Sequence, residues 1–404
     1  LCKMKRAFLL LRLVILSFVS SYADQNITSC GTVITTADNY FLNQSINTSS
    51  GTCIEFQAGA SGSTLNCQGF SINNTGSANY AIILDASHMY LNNCKISNFA
   101  YYLDMDNAGE SNYIDNFTFT NISSGVFIDG NNHTIKNSFF NKTDRLFISN
   151  SAYNTTLKNN TFIEWSYIEN RGSNGFFDSL YFDPIQYNSM ILPMLSVGSD
   201  AEYNHYSNLI FRKDAEMNLF FDRIRHNTFE NISFDNGTFS VNLHYFNSRN
   251  NTFKNISGSN FSIREGYNLS FENLNFLNSH LVVSPFGSPT VLDINSNVFI
   301  NSNLGNLELD YAVNNSFINT SFTNITSFNW SQTPNFFENN SYAQGIVNSS
   351  GCIIAAQPEI ICDTGSWSVF SPIVSTPPST GSLFPVFGLV NILIIFGSLF
   401  LYFM

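Results

Sequence analysis

The chain has 404 residues, of which 44% are hydrophobic and only 11% charged, with a formal net charge of −12. Ordinary soluble domains are about one quarter charged, so amides and hydroxyls must make most of this polar surface. The acidic balance excludes nucleic acid as an expected partner, since that needs clustered Lys and Arg. An aromatic content of 15% excludes a disordered chain.

Met4-Lys-Arg6 and the apolar run from Ala7 to Val19 have the charged and hydrophobic regions of a secretory signal peptide. Ser21-Tyr-Ala23 supplies the small residues that a signal peptidase reads, so residues 1–23 are expected to be removed before Asp24. An uncleaved anchor is the alternative, and Arg12 inside the run disfavours it. Cys2 lies in or before this region. Six cysteines remain beyond it: Cys30, Cys53, Cys67, Cys94, Cys352 and Cys362. An even number in an exported chain favours disulfides, and the spacing suggests Cys30–Cys53, Cys67–Cys94 and Cys352–Cys362. A metal site would need a CxxC pair or a nearby His, and neither is present, so no metal is expected.

Residues 24–57 read as an N-terminal cap closed by the first cysteine pair. Residues 58–345 are a repeat, whose phrase is an asparagine, one or two small polar residues and an aromatic. Examples are Asn116-Phe-Thr-Phe119, Asn160-Thr-Phe162, Asn227-Thr-Phe229, Asn251-Thr-Phe253 and Asn315-Ser-Phe317. A register runs through Asn66, Asn93, Asn116, Asn137 and Asn160, lapses, then resumes at Asn208, Asn227 or Asn231, Asn251, Asn275, Asn297, Asn319 and Asn340. A period of about 20 to 24 residues marks a stacked repeat. Short alternating runs such as Ala81-Ile-Ile-Leu84 and Gly125-Val-Phe-Ile128 read as strands bounded by Asn, Gly, Asp and Ser turns. Leucine-rich repeats lack their leucine phrase here, and propeller blades need about 40 residues.

The expected fold is therefore all-β: a right-handed parallel β-helix of about 12 coils, with strands about 4.8 Å apart. Its interior should carry a phenylalanine column and an asparagine ladder that satisfies its own buried amides. Cys67 follows Asn66 and Cys94 follows Asn93, so both hold one place in successive coils, within disulfide reach. Two stacked free thiols are the alternative.

The lapse from Glu164 to His226 gathers charge in a charge-poor chain. Asp178, Asp183, Asp214, Asp222, Arg223, Arg225 and His226 are candidate catalytic residues there, beside Asp200, Glu202 and His205. An insertion on a solenoid often becomes a loop on the binding face; a solvated loop with surface charges is the plainer reading. Asp104 and Asp106 beside Tyr101-Tyr102 form a second patch, read as an ordinary acidic turn. His88, His133, His244 and His280 stand alone and are read as structural.

Residues 346–364 form a C-terminal cap and residues 365–382 a Pro/Ser/Thr-rich spacer. From Leu383 to Met404 no residue is charged. At 1.5 Å per residue this stretch spans about 33 Å, close to a bilayer's hydrocarbon core, so a single transmembrane anchor is expected. A tail exchanged for a lipid anchor is the alternative.

Ser29-Cys-Gly-Thr32, Gly51-Thr-Cys-Ile54, Leu65-Asn-Cys-Gln-Gly69 and Leu91-Asn-Asn-Cys-Lys-Ile96 resemble the wording of pectin-lyase-like β-helix surface proteins of archaea and some bacteria. The resemblance covers about residues 28–345. It implies the fold and leaves function open, since that superfamily holds lyases, hydrolases, adhesins and inert rods. The Asn-Thr-Asp, Asp-Asp and Gly-His-Gly phrases of its polygalacturonases are missing, and Arg223-Ile-Arg225 only echoes their Arg-Ile-Lys. The chain also carries 22 Asn-x-Ser/Thr sequons, among them Asn26, Asn43, Asn47, Asn116, Asn154, Asn231, Asn255, Asn324 and Asn348. These read as glycosylation acceptors where exposed and as ladder wording where buried.

The expectation is a cell-surface glycoprotein with an extracellular β-helix and a C-terminal membrane anchor. Its role would be structural, adhesive or carbohydrate-contacting, with no cofactor. The alternative is a polysaccharide lyase or glycoside hydrolase using the 164–226 stretch, with calcium needed only for a lyase.

Overall fold

The computed structural model describes residues 24–105, 109–123, 125–164, 167–183, 193–198, 200–212, 216–220, 224–235, 238–242, 249–264, 266–282, 294–295, 297–310, 315–328, 336–338, 340–342, 352–354 and 360–362. Nearly all regular structure in them is short parallel strand. Each coil contributes a strand to three faces. Thr134–Lys136 stacks on Tyr113–Asp115 in face 1. Phe139–Thr143 stacks on Thr118–Ile122 in face 2, and Arg145–Ile148 on Val126–Ile128 in face 3. The next coil repeats the order. The first stacked pair, Asp24–Ile27 on Asn39–Leu42, is 15 residues apart, and later coils take between 18 and 29 residues.

Face 1 lies between two sharp corners, and the repeat phrase encodes both. In Asn250-Asn251-Thr252-Phe253-Lys254-Asn255, Asn250 and Asn255 adopt left-handed backbone, φ 59° and 52°. The pairs Asn132/Asn137, Asn154/Asn159 and Asn268/Asn273 do the same. Asparagine tolerates this region better than other side chains with a Cβ. Between the corners Thr252 and Lys254 point outward and Phe253 inward, because a strand alternates its side chains.

The second asparagine of the phrase is buried. Asn112, Asn204, Asn227, Asn251, Asn297 and Asn315 are at most 1% exposed. Asn227 shows why. Its Oδ1 accepts from the Asn204 backbone N–H at 2.8 Å, and its Nδ2 donates to the Ala201 carbonyl at 2.9 Å. Both groups belong to the preceding coil's corner. Asn251 treats the next coil alike, accepting from Asn227 N–H at 3.0 Å and donating to Ile224 O at 3.0 Å. A related column follows the second corner, where Asn160 accepts from Ser138 N–H and donates to Ile135 O, each at 2.9 Å.

The single ladder read from the sequence thus separates into inner and outer columns. Asn137 and Asn208 are outer rungs, while Asn160, Asn251 and Asn297 are inner ones. The phrase carries asparagine at adjacent positions, so spacing alone mixes the columns.

Aromatic rings fill the core. Phe177, Tyr206, Phe229, Phe253, Phe271, Phe299 and Phe317 stack along face 1 with centroids 4.6–4.9 Å apart. Phe119, Phe140, Phe162, Phe182, Phe211 and Phe234 do so along face 2 at 4.6–5.2 Å. Each such pair contributes about 0.5–1.5 kcal/mol beyond burial. The first coils of face 1 are aliphatic instead, with Leu65, Leu91, Ile114, Ile135 and Leu157 in the column.

Both disulfides lie in the first coils, and Cys67–Cys94 joins the coils of Leu65 and Leu91. Cys30–Cys53 joins adjacent coils at a Cα separation of 4.1 Å, and Cys67–Cys94 does so at 4.8 Å. Cys352 faces Cys362 across an antiparallel pair of strands; their side chains lie outside the described atoms. Residues 24–57 join the same parallel stack, with Asp24–Ile27 lying in register on Asn39–Leu42.

The lapse after Asn160 conceals a complete coil. Phe176–Asp178 stacks between Thr156–Lys158 and His205–Ser207, and Ser179 takes the left-handed corner, φ 56°, where asparagine usually stands. The wording fails there and the winding continues. Among the described residues no helix is long and apolar enough to cross a membrane. Residues 1–23 and 383–404 lie outside them, as do Asp106, His244 and Asn348.

Removing an inner rung orphans two peptide groups, so Asn227→Ala should destabilise by about 2–4 kcal/mol. Asn231→Ala, an exposed rung, should cost under about 1 kcal/mol; denaturant unfolding of both variants measures the contrast. His133 occupies an inner asparagine position. Its Nδ1 accepts from Asn112 N–H at 3.3 Å, and Nε2 bonds the Asp129 carbonyl at 2.9 Å. Burial lowers its pKa from 6.5, against the opposing pull of the Asp129 and Gly109 carbonyls and of the Asp129 and Glu110 charges. The neutral ring's stabilisation is therefore complete above about 6.5, the ordinary value, and is lost as pH falls through the lower folded value. His133→Asn should flatten this acid-side decline relative to the parent, as measured by melting temperature against pH.

Candidate functional site

The described candidates from the 164–226 stretch are spread over several surfaces. Asp178 points outward from face 1 but is only 7% exposed. Its Oδ1 accepts from Ser207 Oγ at 2.9 Å and Asn208 Nδ2 at 2.7 Å. Its Oδ2 meets Ser179 Oγ at 3.1 Å and Lys158 Nζ at 3.5 Å. Burial pushes this carboxyl up, but the bonds from Asn208, Ser207 and Ser179 and the Lys158 charge bring the net shift down. The group is held as a carboxylate that ties coils together.

Asp183 ends a face 2 strand, Tyr181–Asp183. Arg225 lies 3.8 Å from Glu202 at the corner between faces 3 and 1. There His226 stacks on Tyr203 with centroids 4.8 Å apart, and Asp200 sits exposed at a left-handed turn. His205 stacks on Phe176 and meets Glu230 at 3.2 Å on face 1. Asp214, Asp222 and Arg223 lie outside the described residues. Glycosidic acid–base chemistry places its carboxyls about 5–10 Å apart; Asp178 and Asp183 belong to different faces of one coil. No group of three metal-ligating side chains occurs among the described residues.

The structure assembles a different surface, on face 3 and its corner with face 2. Glu169, 8% exposed, lies between two arginines. Arg145 Nη1 donates to Glu169 Oε2 at 3.0 Å, and Arg171 Nε donates to Oε1 at 2.8 Å. Two cations on one carboxylate leave the trio with one excess positive charge. Both guanidiniums also lie over the Phe147 ring, at 4.8 and 5.4 Å from its centroid, and Phe147 stacks on Phe127 at 5.2 Å. Cation–π contact of this kind contributes about 0.5–1 kcal/mol where exposed.

Next to the trio is an open concavity of about 620 Å³. Its wall carries Asn79, Asn98, Asn121, Lys142 and Asp144. Burial raises the Asp144 carboxyl pKa, and the Arg145 charge opposes this. Asn79 and Ala100 of the wall lead directly into Tyr80 and Tyr101, which stack outward at 5.0 Å, with Tyr101 41% exposed. The concavity thus offers amide donors and acceptors, an ammonium and a carboxyl in one hollow, and the tyrosine stack follows two of its wall residues in the chain.

Sequence reading passed over Arg145, Glu169, Arg171 and Lys142. The available signal was their offset. Arg145 and Glu169 are 24 residues apart, one coil, and Lys142 meets Glu164 at 3.5 Å one coil on. Opposite charges separated by the repeat length stack.

The winding has counterparts among known structures. The fold is the right-handed parallel β-helix. No family model matches the chain, and no curated protein does. Among solved structures it is similar to the catalytic domain of a GH87 alpha-1,3-glucanase in complex with nigerose, at 14% identity over 79% of this chain and a TM-score of 0.40. The β-helix chain spans 63% of that domain's length. It is similar to the A-module of a mannuronan C-5 epimerase from Azotobacter vinelandii, at 10% identity, covering 76% of this chain and 91% of that one, TM-score 0.40. A surface protein and adhesin of Streptococcus pneumoniae matches at 12% identity over 78% of this chain and 91% of that one, TM-score 0.29.

Glu169→Gln would remove the carboxylate that lies between the two guanidiniums. Because both arginines are partly solvated, the expected cost is about 1–3 kcal/mol. It should be confined to neighbouring coils, read as faster amide exchange at Arg145–Ile148 and Tyr167–Asn170.

Proposed function

We propose that this protein is a non-catalytic cell-surface β-helix that contacts carbohydrate through the concavity at the corner of faces 2 and 3. The observation that carries this reading is the composition of the hollow. Asn79, Asn98, Asn121, Lys142 and Asp144 line it, and the stacked Tyr80 and Tyr101 directly follow Asn79 and Ala100 of its wall in the chain. Sugars are bound by such a pairing of dense hydroxyl partners with a flat apolar ring. The surface is preformed, since Asn121 donates to Asn98 at 2.7 Å and Asn98 to Asn73 at 2.7 Å, which holds two of the amides in place.

Export and anchoring belong to the same reading. Residues 1–23 act as a cleaved signal, and residues 383–404 hold the ectodomain to the membrane through the Pro/Ser/Thr spacer. The two disulfides of the first coils fit an oxidising compartment. An adhesive role follows if the glycan contacted belongs to a neighbouring cell.

Binding of the full chain to a panel of immobilised polysaccharides tests the proposal. Tyr101→Ala and Lys142→Ala should each weaken binding roughly tenfold, about 1.4 kcal/mol. Tyr153→Ala, an equally exposed ring at another corner, should leave it unchanged. Absence of binding to every glycan, or equal loss in all three variants, would sink the proposal.

A further inference from the structure

The outer asparagine ladders act on the sequons. Along the corner between faces 1 and 2, each exposed asparagine points its Nδ2 at the Oδ1 of the coil before. Asn116 donates to Asn93 at 2.7 Å, Asn231 to Asn208 at 3.3 Å and Asn255 to Asn231 at 2.9 Å. At the corner between faces 3 and 1, Asn154 donates to Asn132 at 3.1 Å. Asn116, Asn154, Asn231 and Asn255 all begin Asn-x-Ser/Thr sequons. In each the nitrogen that would carry a sugar is the nitrogen that makes the rung.

We propose that N-linked glycan is excluded from these donor rungs and carried instead by sequons whose Nδ2 stands outside the ladders: Asn26, Asn43, Asn47 and Asn132. This rests on the chain being exported. Transfer forms a bond between Nδ2 and the anomeric carbon of a lipid-linked glycosyl phosphate or diphosphate. The phosphate leaves with the bonding electron pair, and Nδ2 gives up one of its two protons. The product keeps Oδ1 intact as an acceptor and leaves a single N–H beside a pyranose ring.

The consequence differs along a ladder. Asn47 and Asn132 stand at ladder starts, where Oδ1 accepts from Asn73 at 3.3 Å and from Asn154 at 3.1 Å. A sugar on their Nδ2 leaves both bonds in place. Asn26 and Asn43 are exposed and outside the ladders. On a donor rung the ring would have to fit into the step of about 4.8 Å between coils, displacing the bond to the coil before. Sugar added there before folding prevents that corner from closing, so it is absent from the folded product.

The test is glycopeptide mapping of the full chain, expressed in a host that transfers glycan to Asn-x-Ser/Thr and purified from the folded fraction. Occupancy at Asn116, Asn154, Asn231 and Asn255 should be at least tenfold below that at Asn43, Asn47 and Asn132. The variant Asn93→Ala removes the acceptor of the Asn116 rung and should raise occupancy at Asn116. Donor rungs as fully modified as Asn43 would overturn the proposal. So would a chain with no glycan at any sequon, while polysaccharide binding by the concavity is judged separately by its own assay.

Discussion

The structure depends on how a solenoid satisfies the peptide groups at its corners. Strands pair with the coils above and below, but a chain that turns sharply three times per coil takes some N–H and C=O groups out of the ladder. Buried and unpaired, each would cost about 1–3 kcal/mol, and the loss would recur at every coil. The inner asparagine answers it with one side chain. Its Oδ1 takes the orphan N–H and its Nδ2 the orphan carbonyl of the coil before, as Asn227 and Asn251 do in succession. Serine does half of this work where it replaces asparagine, as Ser302 does by accepting from Leu274 N–H at 3.1 Å. His133 does it with a ring, and thereby brings a titratable group into the column.

That solution shapes the rest of the coil. With both corners fixed, three residues remain for face 1, so only the middle one can point inward. One inward position per coil on face 1 makes a column of like residues, which aromatic side chains fill by offset stacking. The aliphatic column from Leu65 to Leu157 offers no ring stacking inside face 1. Two of its coils are tied by Cys67–Cys94, and the two coils before it by Cys30–Cys53. Cys67 and Cys94 occupy the column position that Ser138 and Asn160 hold further on. One site in the coil thus accepts a covalent tie, a hydroxyl or an amide.

The same economy makes the few charges informative. On face 1 they cancel coil by coil, Lys136 against Asp115 at 3.3 Å, Lys158 against Asp178 at 3.5 Å and Lys254 against Glu272 at 3.2 Å. These are solvated surface pairs of small individual worth. Face 3 differs, because Glu169 carries two guanidiniums and the adjoining hollow holds Lys142 and Asp144. Two guanidiniums on one carboxylate, close to Lys142 and Asp144, gather more charge in one place than the single pairs of face 1 do.

The sequence by itself determined the winding. Its period, its short strands and its corner asparagines leave a stacked coil as the arrangement that places Phe229, Phe253 and Phe271 inside. It also placed Cys67 and Cys94 at one step of the stack. It did not separate inner from outer asparagines, because Asn250 and Asn251 are adjacent and chemically identical, and only the backbone conformation of Asn250 turns one outward and the other in. The lapse after Asn160 looked like a loop because Ser179 replaces the corner asparagine, although a serine can adopt the same φ. Asp178 looked available because its partners, Ser207 and Asn208, are a coil away in sequence. Arg145, Glu169 and Arg171 look ordinary in a linear reading for the same reason. Tertiary structure decided which side chains one coil lays upon another, since stacking brings together residues whose separation in the chain changes with every coil.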